Sequence, residues 1–188
     1  MNATVLCLLA ALAAPALDPD ALAAWNVERV ELTRAGMWTL AGWGAASVGV
    51  GLAGRLASDD RRWQSFHLMT AGWGAVDLAL AIGGMWGLDP ATAAALGPAE
   101  SLAEQLFIER ALLFNAGLDV GWLGLGAWLW ERGLRKADAR LEGFGQAIVI
   151  QGGFLLAFDL SLYLLEAAHG YALRVMLVPG GAAVGGTF

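Results

Sequence analysis

Cysteine is nearly absent. Cys7 stands alone among 188 residues, which excludes an intramolecular disulfide and any zinc or iron–sulfur centre built from several thiolates. Histidine is almost as scarce, at two, so other metal chemistry has little to work with. Charge is thin as well: 15% of residues carry it, against about a quarter in a soluble domain. What charge there is leans acidic, with 17 carboxylates against 11 basic side chains, a net of −6 and a pI near 4.8. That balance excludes a nucleic-acid partner held on a basic face. Apolar residues supply 58% of the chain, alongside 26 glycines, nine tryptophans and a mean hydropathy of +0.59. Such a composition belongs in a lipid bilayer.

A helix needs roughly 20 mostly apolar residues to cross a hydrocarbon core about 30 Å thick. Four stretches meet that length, at about 34–54, 66–88, 107–130 and 144–165. They are too long, and too poor in alternation, for the strands of a membrane barrel. The fold expected is therefore all-α: a polytopic, up-and-down bundle of four transmembrane helices within residues 17–174. Ser58 to Arg62 and Glu131 to Glu142 form short charged turns. Asp89 to Gln105 form the longest loop, with Pro90 and Pro98 as breakers and a short helix expected at Ala91 to Leu96. Residues 175–188, ending VPGGAAVGGTF, read as a flexible glycine-rich tail. Residues 1–16 have the apolar run and small-residue ending of a signal peptide, or else form an uncleaved segment on the outer surface.

Basic residues set the orientation. Arg55, Arg61, Arg62, Arg132, Arg135, Lys136 and Arg140 flank the two turns, whereas Arg29, Arg34, Arg110 and Arg174 lie at the opposite side. The positive-inside bias puts the turns in the cytoplasm and both termini outside an inner membrane. Shifts of 75 to 82 residues align Val48–Gly51 with Leu123–Gly126 and Asp77–Leu80 with Asp159–Leu162, which suggests two hairpins in a parallel repeat. Glycine stripes are expected to bring helices close. Gly117, Gly121 and Gly124 form one on the third crossing; Gly36, Gly44 and Ser47 populate the first. A homodimer through a spare glycine face, or a larger membrane complex, is the lesser expectation beside the lipid itself.

The candidate site is a buried polar axis. Asp77 and Asp119 fall near the midplane, and Asp159 lies further out. An ionised carboxylate at such depth is costly, so each must be protonated, paired or hydrated. No lysine or arginine shares their depth. Thr70, Asn115 and Gln151 lie at helical spacings on the same helices and complete the axis. Trp43, Trp73 and Trp122 are too deep for an interfacial belt, unlike Trp25, Trp38, Trp63, Trp86, Trp128 and Trp130. Their indole N–H groups would find the aspartates, or their rings would line a ligand site. His67 at the cytoplasmic side, and Arg34 and Glu109 at the outer mouth, are the candidate entrances. Glu31 and Glu109 are the expected partners of Arg34.

Several strings carry a resemblance. Thr33-Arg34-Ala35-Gly36-Met37, Phe66-His67-Leu68-Met69-Thr70, Asn115-Ala116-Gly117-Leu118-Asp119-Val120 and Gln151-Gly152-Gly153-Phe154-Leu155-Leu156 resemble those of a group of small bacterial four-helix membrane proteins. The resemblance runs from about Glu28 to Glu166. It implies the four-helix architecture and transfers no activity. It also implies asparagine at positions 70 and 77, where this chain has Thr70 and Asp77. Two functions follow from the residues: binding or conduction of a small ion, foremost a proton, or of a small ligand; and a non-catalytic accessory role in which the polar network only fixes packing. The reading leans away from an enzyme, because no nucleophile–base pair, metal motif or phosphate loop is present. No cofactor is expected, with a haem or a carotenoid left open.

Overall fold

A computed structural model describes residues 18–178. The expected signal peptide at 1–16 and the tail beyond Val178 lie outside those residues. The described chain is all helix: α1 (Pro19–Ala57), α2 (Arg61–Met85), α3 (Pro90–Ala94), α4 (Pro98–Lys136) and α5 (Ala139–Leu177). Four of the five starts carry an aspartate cap, whose carboxylate takes amide protons that the first turn leaves unpaired. Asp18, Asp60, Asp89 and Asp138 serve α1, α2, α3 and α5 in this way. Pro98 opens α4 at a position where a missing N–H costs nothing, so it begins a helix where the sequence suggested a break.

The helices outrun the expected crossing segments. At 39 residues, α1, α4 and α5 are each about 58 Å long, roughly twice the hydrocarbon core. At 25 residues α2 is shorter, and the chain then folds over α1 through α3. The excess of the three long helices therefore projects past the end of α2. What reads in sequence as a loop and two flanks is a three-helix extension.

Two antiparallel hairpins, α1–α2 and α4–α5, pack through α5, which also lies against α2 and α1. Burial recurs every three or four residues; on α5 the seam runs Gly145, Ile148, Gly152, Leu155, Asp159, Leu162 and Glu166. That is the repeat by which long helices stay in register side by side. Within the first hairpin Gly44 and Gly74 face each other so closely that a Cβ on either would fall 2.6–2.8 Å from the other's carbonyl oxygen. In the second hairpin a Cβ on Gly145 would fall 2.7 Å from the Gly126 carbonyl oxygen, and one on Gly126 would fall 2.9 Å from the Val149 amide nitrogen. Gly117, Gly121 and Gly124, by contrast, have nothing within 4 Å of an added Cβ. They face out of the molecule, because the buried seam of α4 runs through Ala116, Asp119 and Gly126 instead.

Three helices, α2, α4 and α5, are long and apolar enough to cross a membrane. Their exposed surfaces are apolar too: Leu80, Ile82, Phe114, Val120, Leu160 and Leu164 point outward. Trp38, Trp63, Trp86, Trp128 and Trp130 are exposed, as a belt requires, but Trp25 is buried.

Candidate functional site

Each of three helices sends one aspartate into the interior. Asp77 follows Gly74 on the α2 seam and is fully buried. Asp119 on α4 and Asp159 on α5 are nearly so. Asp119 and Asp159 lie close enough for their carboxyl groups to interact, and the charge of Asp119 reaches Asp77. Both oxygens of Asp77 and Oδ2 of Asp119 have no protein partner. Neighbouring turns are apolar, with Leu40, Ala41, Ala81 and Leu155 at the centre of a cluster that Trp73, Phe154 and Phe158 surround. The four ion pairs among the described residues, Arg34–Glu31, Arg62–Glu142, Arg135–Glu131 and Arg174–Glu109, all lie elsewhere. No group of three His, Cys, Asp or Glu side chains among the described residues is placed to hold a metal ion.

The rest of the expected axis divides. Asn115 is exposed, because α4 turns residues 112, 116 and 119 inward and position 115 falls outside that seam. Gln151 is buried but sits two turns from Asp159, where it accepts from Trp43 Nε1 (2.7 Å) and donates to Ser47 Oγ (3.2 Å). The Trp43 indole thus finds an amide oxygen rather than an aspartate. Thr70 returns its hydroxyl to the Phe66 carbonyl and lines, with Trp43, Ser47 and Gln151, a cavity of about 220 Å³. Trp73 and Trp122 meet edge to face at 5.0 Å and line, with Met69, Val76 and Leu80, an apolar groove of about 480 Å³ between α2 and α4.

The candidate entrances are also rearranged. Arg34 pairs with Glu31 and donates to the Leu88 carbonyl, but does not reach Glu109. Glu109 is held instead by Arg174 through two bonds of 2.6 and 2.8 Å, and by Gln105. The α4–α5 packing is the most extensive in the molecule, and it brings Arg174 onto Glu109. His67 packs against Gly54, with Trp63 and Phe66 around its ring, and its Nδ1 has no partner.

A second polar layer in the helix extension escaped the sequence reading. Asn26 donates to Ser101 Oγ (2.9 Å), Thr33 to Glu166 Oε1 (2.8 Å), and Gln105 to the Glu166 carbonyl (2.7 Å). Trp25 and His169 stack and exchange bonds with each other's backbone carbonyl. Arg29 is buried among these groups, and its Nε has no partner. The signal that would have found this layer is the three-and-four spacing itself. It continues through positions 22, 26, 29 and 33 of α1 and 101, 105 and 109 of α4, beyond any apolar run.

Compared with known proteins, residues 39–160 match a family of unknown function (DUF6992). No curated protein and no solved structure matches the chain.

Proposed function

The chain belongs to that family, DUF6992, and we propose that it is a four-crossing membrane protein whose three aspartates take up and release protons within the bilayer. In this reading α1 supplies the fourth crossing over about 34–54. Glycine, tryptophan and Ser47 dilute its apolar half, and close contact with α2 offsets that weakness. Seven of the 11 basic residues flank the two hairpin turns, so the turns face the cytoplasm and the polar extension faces outward. Gly51 and Gly126, equivalent under the 75-residue shift, both sit at the close contact of their own hairpin, which supports two related hairpins.

The observation that carries the proposal is Asp77: fully buried, both oxygens unpartnered, and within reach of the charge of a second buried acid, Asp119. Neighbouring buried carboxyl groups without a basic partner disfavour double ionisation, so Asp119 and Asp159 together suit the holding of a proton. Ionisable groups held inside a membrane without a basic partner mark proton routes in pumps and transporters. Flux into proteoliposomes carrying a trapped pH dye tests this. Wild-type flux should exceed that of empty vesicles, and Asp119→Asn should abolish the excess. Equal flux in wild-type and empty vesicles would end the reading.

One observation favours the alternative, an accessory subunit whose polar groups only lock the helices. Trp43, Gln151 and Ser47 bond to one another across α1 and α5, a network that by itself fixes the register of the two helices. Under that reading Asp119→Asn loosens the bundle and changes no flux.

A further inference from the structure

We infer that the pocket between α1, the α2–α4 connection and α4 binds a phosphoethanolamine zwitterion. It encloses about 180 Å³ where the helix extension begins, lined by Arg29, Glu104 and Thr92 with Val30, Leu88 and Leu96 as apolar walls.

Two of its charged groups, Arg29 and Glu104, are without an ion-pair partner among the described residues. Arg29 is 4% exposed and its Nε lacks any partner. A guanidinium withdrawn so far from water needs an acceptor. Glu104 and Glu166 are the acids whose charges reach it, yet neither lies within ion-pair distance. Glu166 holds Thr33 through Oε1 and leaves Oε2 without a partner, beyond ion-pair distance of Arg29, and Asp89 is committed to the amides of Ala91 and Thr92. Glu104 is left at the exposed rim with no ion-pair partner among the described residues.

Charge selects the ligand. A simple anion drawn to Arg29 meets Glu104 and Asp89 at the rim, and a simple cation drawn to the rim meets Arg29. A ligand with an oxyanion at one end and an ammonium at the other satisfies both. The flat guanidinium fork matches phosphate oxygens, and a primary ammonium has N–H groups for Glu104. Location supplies such a ligand. Leu88 lies just past the end of α2, beside Trp86, which is 87% exposed as interfacial tryptophans are. The pocket is therefore at headgroup depth. The same chemistry has two sources, a phosphatidylethanolamine headgroup and free phosphoethanolamine. The inference does not depend on proton movement.

The test uses full-length protein in detergent, titrated by calorimetry with dihexanoyl phosphatidylethanolamine, dihexanoyl phosphatidylcholine and soluble phosphoethanolamine. The ethanolamine lipid should bind saturably and the choline lipid, which has no N–H, about tenfold more weakly. Glu104→Gln, at an exposed position that leaves the fold intact, should lower ethanolamine binding by the same factor, and Arg29→Lys should lower binding of both lipids. Free phosphoethanolamine binding as tightly as the lipid identifies the soluble source, and binding that needs the acyl chains identifies the membrane. Equal binding of the two lipids, or an unchanged titration in Glu104→Gln, overturns the assignment.

Discussion

Replacing Gly74 by alanine tests the packing of the first hairpin, because the new methyl has nowhere to go. Its carbon would stand 2.6 Å from the Gly44 carbonyl oxygen, 2.7 Å from Ser47 Cβ and 2.8 Å from the Val48 amide nitrogen. Two of those three atoms are backbone, so no side-chain rotation relieves them. α1 and α2 must separate by roughly 0.8 Å to restore ordinary contact, a distortion of the overpacking kind that costs about 1–3 kcal/mol. Alanine returns about 0.5–1 kcal/mol through its better helix propensity. The net loss expected is about 1–2 kcal/mol. Gly117→Ala and Gly121→Ala provide the control, since an added Cβ meets nothing within 4 Å at either position. They should be neutral or stabilising by up to about 1 kcal/mol. The measurement is reversible unfolding of the purified protein in mixed micelles, followed by far-ultraviolet circular dichroism. A Gly74→Ala variant as stable as wild type, together with a destabilised Gly117→Ala, would mean that the wrong glycine faces have been assigned to the interior.

Three further outcomes can be checked separately. Arg174→Ala leaves Glu109, whose side chain is 11% exposed, without its two charge-assisted bonds; because Arg174 is itself 40% exposed, solvent screening limits the loss to about 1–2 kcal/mol. Adding Glu109→Gln should restore part of that stability, and a double-mutant cycle showing no coupling would contradict the pairing. The Thr92 hydroxyl, with the amides of Thr92 and Ala91, holds the Asp89 carboxyl below its usual 3.8, so the α3 cap is complete above that pH and is lost as pH falls through the lowered value. Amide protection at Ala91 to Ala94 should therefore be retained at pH 3.8 and fall only as the solution is made more acidic, and Asp89→Asn should remove the pH dependence. Ala137 sits in the left-handed region at φ 51° in the α4–α5 turn, so Ala137→Gly should raise the unfolding midpoint by relieving about 1 kcal/mol of strain; a lowered midpoint would count against that geometry.

Apolar length made the all-α bundle legible, because lipid leaves a chain few alternatives to helix. The same criterion hid the extension. Asn26, Arg29, Thr33, Ser101 and Gln105 interrupt the apolar runs and read as surface, yet they occupy seam positions and are buried against each other. The depth of Asp77, Asp119 and Asp159 followed from counting residues. Their convergence needed to know which helices are neighbours, and helix adjacency leaves no trace in a single sequence. Asn115 shows the limit of spacing arguments: four residues from Asp119 places it on the same general side, but the seam steps from 116 to 119 and leaves 115 outside. Glycine composition misled for a related reason. Gly117, Gly121 and Gly124 have the spacing of a packing stripe, while the close contacts belong to Gly44, Gly74, Gly126 and Gly145.

The two buried polar layers differ in their partners. In the extension, bonded pairs (Glu109 with Arg174, Asn26 with Ser101, Thr33 with Glu166) stand beside orphaned atoms (Asn26 Oδ1, Arg29 Nε, Gln105 Oε1 and Glu166 Oε2), and acids share the layer with a buried arginine. The apolar part holds acids and no base. Asp77, Asp119 and Asp159 are buried without a basic partner, and Asp77 keeps two oxygens unsatisfied beside a cluster of leucine, alanine and phenylalanine. Packing alone gives no reason for this, because a leucine at position 77 would fill a seam that already accepts Leu155 and Leu162 on α5. On the proposed reading, an acid placed where the pattern admits an apolar residue is there for what it exchanges with its surroundings. A proton is the smallest thing that Asp77, Asp119 and Asp159 have the atoms to exchange.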